Sequence, residues 1–155
     1  MIDHVTVHVS DIEKSKPFYV AALKPLGYVM VKEFPEWKLA SFGVPGKPSM
    51  WVYAGEGAKQ VAHLALVAKS PQAVQAFYKA AMKAGGTDNG KPGYRTNYSA
   101  GYYAAFVIDP SGNNIEAVFH DKAKEKAAAA AAKKSSAKAK AKPKAKPKAP
   151  AKKKK

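Results

Sequence analysis

A segment of this 155-residue chain is repeated 59 residues further along. The first copy spans residues 4–27 and the second spans residues 63–86, and seven of the 24 aligned positions are identical. The identical pairs are His4/His63, Phe18/Phe77, Tyr19/Tyr78, Ala21/Ala80, Ala22/Ala81, Lys24/Lys83 and Gly27/Gly86. Self-similarity at a fixed spacing indicates two copies of one supersecondary unit, and this constrains the fold more than any single motif does.

The first copy predicts a strand, then a helix, then three more strands. Apolar residues alternate over residues 1–9, as in a strand, and residues 10–24 change to helical spacing. Ser10 and Glu13 match a capping box, which predicts where the helix begins. Three short strand candidates follow, separated by turns that contain proline or glycine, at residues 28–32, 38–43 and 50–54. The order of the unit is therefore βαβββ.

The second copy predicts the same order, with one long irregular connection. A strand over residues 61–68 precedes a helix that is capped by Ser70 and has Pro71 at its first position. Residues 85–100 are rich in glycine and asparagine and predict a binding loop. The remaining elements are strands at residues 102–108 and 114–120, joined by a turn over residues 109–113. The predicted modules are residues 1–58 and 59–120.

Two histidines and one glutamate are candidate metal ligands. His4 and His63 occupy matching repeat positions, so a pseudo-twofold arrangement of the modules would bring them together at the centre. Glu116 lies in the middle of a predicted strand, with Val118 and His120 on the same face. A carboxylate in such an apolar segment is costly to bury unless it is paired, hydrogen-bonded or bound to a metal.

These features resemble the vicinal oxygen chelate superfamily. The resemblance rests on the paired βαβββ units, the histidine that opens each of them, and the segment GYYAAFVIDPSGNNIE at residues 101–116. That superfamily contains glyoxalase I, the bleomycin and fosfomycin resistance proteins, methylmalonyl-CoA epimerase and the extradiol dioxygenases. The resemblance implies an α+β fold in which two βαβββ modules form an open, eight-stranded, barrel-like cup around a divalent metal. It places the metal ligands at His4, His63 and Glu116.

The resemblance also implies a choice of chemistries. The position of a fourth family ligand falls near Met50 and Trp51, which do not bind hard divalent cations. Two imidazoles and one carboxylate suit Zn, Ni, Mn or Fe(II) and leave coordination positions open. The expected function is a glyoxalase-like lyase or isomerase, in which Glu116 acts as ligand and base. The alternatives are extradiol ring cleavage with Fe(II) or Mn(II), and non-catalytic binding of a drug-like small molecule.

Several side chains are candidates for the substrate pocket, namely Trp51, Arg95, Tyr98 and Tyr102. Arg95 lies in the glycine-rich segment, where it is either a clamp for a substrate carboxylate or a solvated surface residue. His8 lies on the predicted face of His4 and is a weaker candidate for a supporting role. The sequence leaves open whether the modules pair within one chain or across a homodimer.

The C-terminal segment, residues 121–155, has a different composition from the rest. It holds 15 lysines and two acidic residues, and it resembles the lysine-, alanine- and proline-rich tails of linker histones. Residues 126–133 could extend as a helix, and the segment from Ala137 onward predicts disorder. Three roles remain open: non-specific nucleic-acid binding, a solubilising extension, or a nuclear-import signal at residues 152–155. The chain contains no long apolar run and no secretion signal, so a cytoplasmic or nuclear location without membrane insertion is expected. The absence of cysteine excludes disulfides and thiolate metal sites.

Overall fold

The computed structural model describes residues 2–55 and 61–140, with side chains as far as residue 133. The first module contains β1 (Val5–Val9), α1 (Ile12–Leu23), β2 (Val29–Phe34), β3 (Leu39–Val44) and β4 (Lys47–Ala54). The second contains β5 (His63–Val67), α2 (Pro71–Lys83), β6 (Thr87–Tyr94), β7 (Tyr102–Ile108) and β8 (Asn114–His120), and α3 (Lys122–Lys140) follows it. The predicted βαβββ order is confirmed in both modules. The predicted boundary between the modules lies outside the described residues.

Each module forms its own four-stranded mixed sheet. The strand order is β1-β4-β3-β2 in the first sheet and β5-β8-β7-β6 in the second. In both sheets the first and last strands of the module pair in parallel, and the other neighbours are antiparallel. The eight strands therefore make an open arrangement that is not closed into a barrel, in an α+β fold as expected.

Helices α1 and α2 pack against each other and cover one face of the sheets. The apolar residues that alternate along the strands point to these helices, and Val7, Val52 and Ala117 are fully buried there. The Phe-Tyr pairs of the repeat serve this packing, since Phe18, Tyr19 and Phe77 are also inaccessible to solvent. The opposite faces of the two sheets remain available for binding.

The turn between β7 and β8 connects the two modules. The Asp109 carboxylate accepts hydrogen bonds from the main-chain N–H groups of Ser111 and Asn113, at 2.8 and 2.7 Å. The side-chain amide of Asn113 donates to the main-chain carbonyl of His8 in the first module at 2.9 Å, and its oxygen accepts from the N–H of Ala62 at 2.8 Å. The Asp-Pro-Ser-Gly-Asn turn, which belongs to the segment on which the sequence resemblance rests, thus holds the modules together.

Half of the segment predicted as an irregular loop is a strand, so that prediction was wrong for residues 87–94. Residues 87–94 form β6, which pairs with β7 despite containing Gly90, Pro92 and Gly93. β6 is an edge strand, where proline is tolerated because one side of the strand needs no partner. The glycines coincide with two irregularities in the pairing with β7, at Asp88–Gly90 and Gly90–Gly93.

The start of α1 also differs from the prediction. Asp11 is the N-cap, and its carboxylate accepts from the N–H groups of Glu13 and Lys14 at 3.0 and 3.3 Å. Ser10 is used elsewhere, because its N–H donates to the hydroxyl of Ser111 at 3.0 Å. The predicted Ser70 cap of α2 is confirmed by a bond from the N–H of Ala73 at 3.2 Å.

The basic segment begins with a helix that contacts the folded body. The helix predicted for residues 126–133 is part of α3, and most of the segment predicted to be disordered, residues 141–155, lies outside the described residues. The hydroxyl of Tyr94 donates to Asp121 at 2.9 Å, and the Lys124 ammonium lies 3.7 Å from the centre of the Tyr94 ring. The composition of the segment predicts no packed interface with the body, and these contacts of Tyr94 show that this prediction is wrong. In the described part of the chain, no helix has the length and apolar character needed to cross a membrane.

Candidate metal and ligand site

Glu116 lies on the open face of the second sheet and is nevertheless buried. Its position in β8 is paired with Ala65 in β5 and with Phe106 in β7. Only 2% of Glu116 is exposed. Two polar side chains, Tyr102 and His63, contact its carboxylate and replace the water that burial removes.

The two carboxylate oxygens of Glu116 have different partners. The hydroxyl of Tyr102 donates to Oε1 at 2.5 Å, and Nε2 of His63 lies 3.1 Å from Oε2. Burial, together with the hydrogen bond to Glu116 and its negative charge, raises the pKa of Tyr102 to about 12. The Tyr102 phenol therefore keeps its proton at neutral pH and holds one edge of the carboxylate, which leaves the other edge facing His63.

The His63 imidazole is held on both sides and is half exposed. Its Nδ1 lies 2.8 Å from the side-chain amide nitrogen of Asn114, whose oxygen accepts from the amide of Asn89 at 3.2 Å. The ring stacks on Phe106 with 6.3 Å between the centroids, and 53% of the side chain is exposed. Sequence reasoning missed Asn89, Asn114 and Phe106. The signal for Asn114 was its position two residues before Glu116, on the same face of a strand.

His63 and Glu116 form part of the wall of a cavity of about 480 Å³. The cavity is lined by His63, Asn89, Gly90, Arg95, Tyr98, Tyr102, Phe106, Asn114 and Glu116. Three of the four predicted pocket residues are in this lining. Trp51 is not among them, because it belongs to the first sheet, where its ring stacks on that of Phe34 with 6.3 Å between the centroids.

His4 lies apart from this cavity within a single chain. It precedes β1 by one residue, its side chain is 54% exposed, and its Nδ1 lies 2.8 Å from the carboxylate of Asp3. Across the residues that the structure describes, no group of three or more histidine, cysteine, aspartate and glutamate side chains is arranged to hold a metal. The structure thus brings together two of the three predicted ligands, and the convergence of all three stays a prediction.

His8 and His120 have other neighbours. The His8 ring makes an edge contact with Tyr53 on the open face of the first sheet, with 5.5 Å between the centroids. The His120 ring makes an edge contact with Tyr102 at 5.3 Å, and its Nδ1 lies 3.6 Å from the Glu125 carboxylate in α3. His120 therefore connects the first turn of α3 with the phenol that holds Glu116.

Comparison with protein families gives one match that covers most of the chain. Residues 1–117 match the model of the Glyoxalase/Bleomycin resistance protein/Dioxygenase superfamily. No protein in a collection of curated sequences matches the chain.

Solved structures with similar folds carry related descriptions. A glyoxalase/bleomycin resistance protein from Albidiferax ferrireducens T118 is 30% identical, with a TM-score of 0.63, over 76% of this chain and 97% of that chain. A putative glyoxalase from Bacillus halodurans is 22% identical, with a TM-score of 0.58, over 77% of this chain and 95% of that one. Glyoxalase I from Zea mays is 18% identical, with a TM-score of 0.56, over 76% of this chain and 43% of that one. The last two likenesses concern the fold alone.

Proposed function

The chain belongs to the Glyoxalase/Bleomycin resistance protein/Dioxygenase superfamily, and from this premise we propose that it is a metal-dependent enzyme acting on a small molecule, with glyoxalase-like lyase or isomerase chemistry. The observation that carries the proposal is the environment of Glu116. A buried carboxylate faces an imidazole nitrogen at 3.1 Å and borders a cavity of ligand size. Burial of a carboxylate is costly, and a few precisely placed polar groups in the wall of a cavity are typical of a binding or catalytic site.

The side chains that meet at Glu116 suit a divalent cation. The Oε2 atom of Glu116 and the Nε2 atom of His63 are the donor types that bind Zn, Ni, Mn and Fe(II). A bound cation would act as a Lewis acid on the vicinal oxygens of the substrate. Two donors from one chain are fewer than a tight site needs, so the proposal requires a third ligand.

We assign the third ligand to His4 of a second copy of the chain in a homodimer. His4, Thr6 and His8 lie exposed at the start and along one face of β1. The open face of this first sheet also carries stacked aromatic rings, of which Trp37 is 60% exposed. Covering that face with the second sheet of a partner would bury these rings and would present His4 to the His63–Glu116 pair.

The residues around Glu116 would have separate roles in proton transfer. Tyr102 keeps its proton and holds Oε1, so Oε2 is the edge of Glu116 that would hold the cation and that, when released from it, would accept a proton from a substrate carbon or hydroxyl. Asn114 fixes the plane of the His63 imidazole through Nδ1. In the proposed homodimer, the sheet of the second copy and the aromatic side chains of the cavity would together exclude water from the reacting groups.

Metal titration followed by activity measurements tests the proposal. The purified protein, stripped with a chelator, should bind one divalent ion per site in calorimetry, and Glu116→Gln should remove that binding. Glu13→Gln is a matched control, since it removes an exposed carboxylate from α1 that does not border the cavity. With Zn, Ni or Mn the protein should convert a thiol hemiacetal without oxygen. Absence of metal binding by the wild-type protein would refute the proposal.

Oxygen uptake distinguishes the ring-cleaving alternative. A dioxygenase would need Fe(II) or Mn(II) and would consume oxygen in the presence of a catechol, whereas a glyoxalase-like enzyme would not. Non-catalytic binding is a second candidate, favoured by the aromatic lining of the cavity by Tyr98, Tyr102 and Phe106. Binding of aromatic molecules without turnover under any of these conditions would favour it.

For the lysine-rich segment we propose non-specific nucleic-acid binding. Fifteen lysines and two acidic residues give it a formal charge of +13. Lysines release counterions from a phosphate backbone without reading bases, so affinity should depend on salt and not on sequence.

A further inference from the structure

Arg95 is the only arginine in the chain, and its guanidinium forms part of the cavity wall. Its Nη2 donates to the main-chain carbonyl of Lys91 at 2.6 Å. Its central carbon lies 5.5 Å from the centre of the Phe106 ring, in a cation–π contact. These two contacts fix a long side chain against the wall of the cavity.

The charge of Arg95 has no acidic partner among the described residues. The ion pairs in that part of the chain involve lysines and histidines, and none includes Arg95. The side chain is half buried. A cation that has lost part of its hydration and gained no counter-charge is a binding group for an anion.

Two glycines of β6 provide the space for this guanidinium. A Cβ atom on Gly93 would lie 3.1 Å from Nη1 of Arg95, and one on Gly90 would lie 3.3 Å from Nη2 and 2.9 Å from the Phe106 ring. A side chain at either position would therefore crowd the guanidinium of Arg95. The glycines that sequence reasoning attributed to a loop thus make room for an arginine inside the cavity.

We propose that the ligand of this cavity is a small molecule with a carboxylate at one end, bound by Arg95, and a pair of vicinal oxygens at the other end, facing His63 and Glu116. The second half of this statement rests on the proposed function, and the first half does not. Carboxylate is the anion whose flat, two-oxygen edge matches the guanidinium fork.

The shared neighbour Phe106 limits the length of the ligand. The central guanidinium carbon of Arg95 lies 5.5 Å from the Phe106 ring centroid, and the His63 ring centroid lies 6.3 Å from it. The distance between the Arg95 guanidinium and the His63 ring therefore cannot exceed the sum of these two distances. A single aromatic or similar flat ring spans such a gap. The phenols of Tyr98 and Tyr102 meet edge to face, with 5.3 Å between the centroids, and offer such a ring an aromatic wall.

Calorimetry with a matched acid and amide tests the inference on the full-length protein after metal removal. The probes are 3,4-dihydroxybenzoate and 3,4-dihydroxybenzamide, which differ in the charged group alone. The acid should bind about tenfold more tightly or better, since a charge-assisted bidentate contact is lost in the amide. Equal affinities, including no detectable binding of either probe, would overturn the inference.

Variants distinguish recognition of the carboxylate by the Arg95 guanidinium from a general effect of positive charge. Arg95→Gln should abolish the preference for the acid, and Arg95→Lys should retain part of it. Lys91→Gln removes a neighbouring exposed charge while keeping the main-chain carbonyl that holds Arg95, so it should leave the preference unchanged. Gly93→Ala should reduce the preference without removing any charge. Loss of the preference in Lys91→Gln as in Arg95→Gln would assign it to general electrostatics and overturn the inference.

The same measurements keep this inference distinct from the proposed function. His63→Ala should bind no metal and should still prefer the acid over the amide. A protein that binds metal through His63 and Glu116 but treats the two probes alike would leave the function standing and remove the carboxylate subsite. A protein that prefers the acid but binds no metal would retain the carboxylate subsite and refute the proposed function.

Discussion

The hydroxyl of Tyr19 in α1 donates a buried hydrogen bond of 2.7 Å to the carboxylate of Asp109, 90 residues further along the chain. Asp109 also receives two main-chain N–H groups and the side-chain amide of Asn113. A helix of the first module is thus tied to the turn that precedes the strand of Glu116. The position of the candidate site therefore depends on how the two modules are joined.

Tyr19→Phe should lower the free energy of unfolding by about 2 kcal/mol, because it removes a hydrogen bond to a buried carboxylate while preserving the packing of the ring. Urea denaturation followed by circular dichroism measures this change. Tyr78→Phe is the matched control at the equivalent repeat position, where the side chain is half buried, and it should cost less. An equal loss of unfolding free energy in the two variants would show that the hydrogen bond to Asp109 makes no particular contribution to stability.

The same bond predicts a pH dependence in the alkaline range. Burial, followed by the negative charge of Asp109, raises the pKa of Tyr19 above its ordinary value of 10.0. A group whose pKa is raised on folding contributes stability that is present below the unfolded-state value and is lost as the pH rises through the folded-state value. The wild-type protein should therefore lose stability above about pH 10 more steeply than Tyr19→Phe. Parallel pH profiles of the two proteins in urea denaturation would contradict this.

The phenol of Tyr102 supports Glu116, and its loss should weaken metal binding. Tyr102→Phe leaves Oε1 of a buried carboxylate without its donor, so we expect metal affinity to fall by about 10- to 100-fold. Calorimetric titration with Zn measures the change. Tyr98→Phe removes a hydroxyl from a largely exposed ring in the same cavity and should have little effect. An unchanged affinity in Tyr102→Phe would show that the phenol does not support a metal site.

Mixing two inactive variants tests whether His4 comes from a second copy of the chain. His4→Ala and His63→Ala should each fail to bind metal alone. A dimer that contains one chain of each would have one intact site, with His4 from one chain and His63 and Glu116 from the other. Unfolding and refolding an equal mixture should therefore restore about a quarter of the wild-type metal content, if the chains associate at random. No recovery would place all three ligands in one chain or exclude His4 from the site.

The fold was predictable from the sequence where local pattern and tertiary contacts agree. The repeat predicted the order of elements in both modules. β7 and β8 have the predicted bounds because each is a short run of mostly buried residues, and the two runs are separated by the turn residues 109–113. β6 was missed because Gly90, Pro92 and Gly93 disfavour a strand locally. The pairing with β7 outweighs that preference, and such long-range contacts leave no mark in a local pattern.

The candidate site was predictable in part for a similar reason. His63 and Glu116 were identified because a histidine at a repeated position and a carboxylate in an apolar strand are each unusual. Phe106 contributes to the site by pairing across strands with Glu116, and this register cannot be read from either strand alone. The helix over residues 126–133 was predictable from a run of alanines, which have high helix propensity, whereas the contacts of Asp121 and Lys124 with Tyr94 leave no mark in the composition.

Two truncations should separate the contacts that residues 121–125 make with the body from the effects of the remaining lysine-rich segment. Removal of residues 121–155 eliminates Asp121 and Lys124, which contact Tyr94, and Glu125, which lies beside His120. We expect this truncation to lower thermal stability and metal affinity, since His120 in turn contacts Tyr102. Removal of residues 127–155 retains these contacts and should change neither quantity.

Removal of residues 127–155 also tests nucleic-acid binding while it retains the contacts that Asp121, Lys124 and Glu125 make with the body. Removing residues 127–155 deletes 12 of the 15 lysines of the basic segment, so affinity for duplex DNA should nearly vanish. The intact protein should bind DNA without sequence preference, and its affinity should fall by about three orders of magnitude between about 50 and 200 mM salt if it neutralises six or more phosphates. Fluorescence anisotropy with labelled duplexes of unrelated sequence measures both effects. DNA binding that survives this truncation, or that does not respond to salt, would assign the interaction to the folded body and not to the lysine-rich segment.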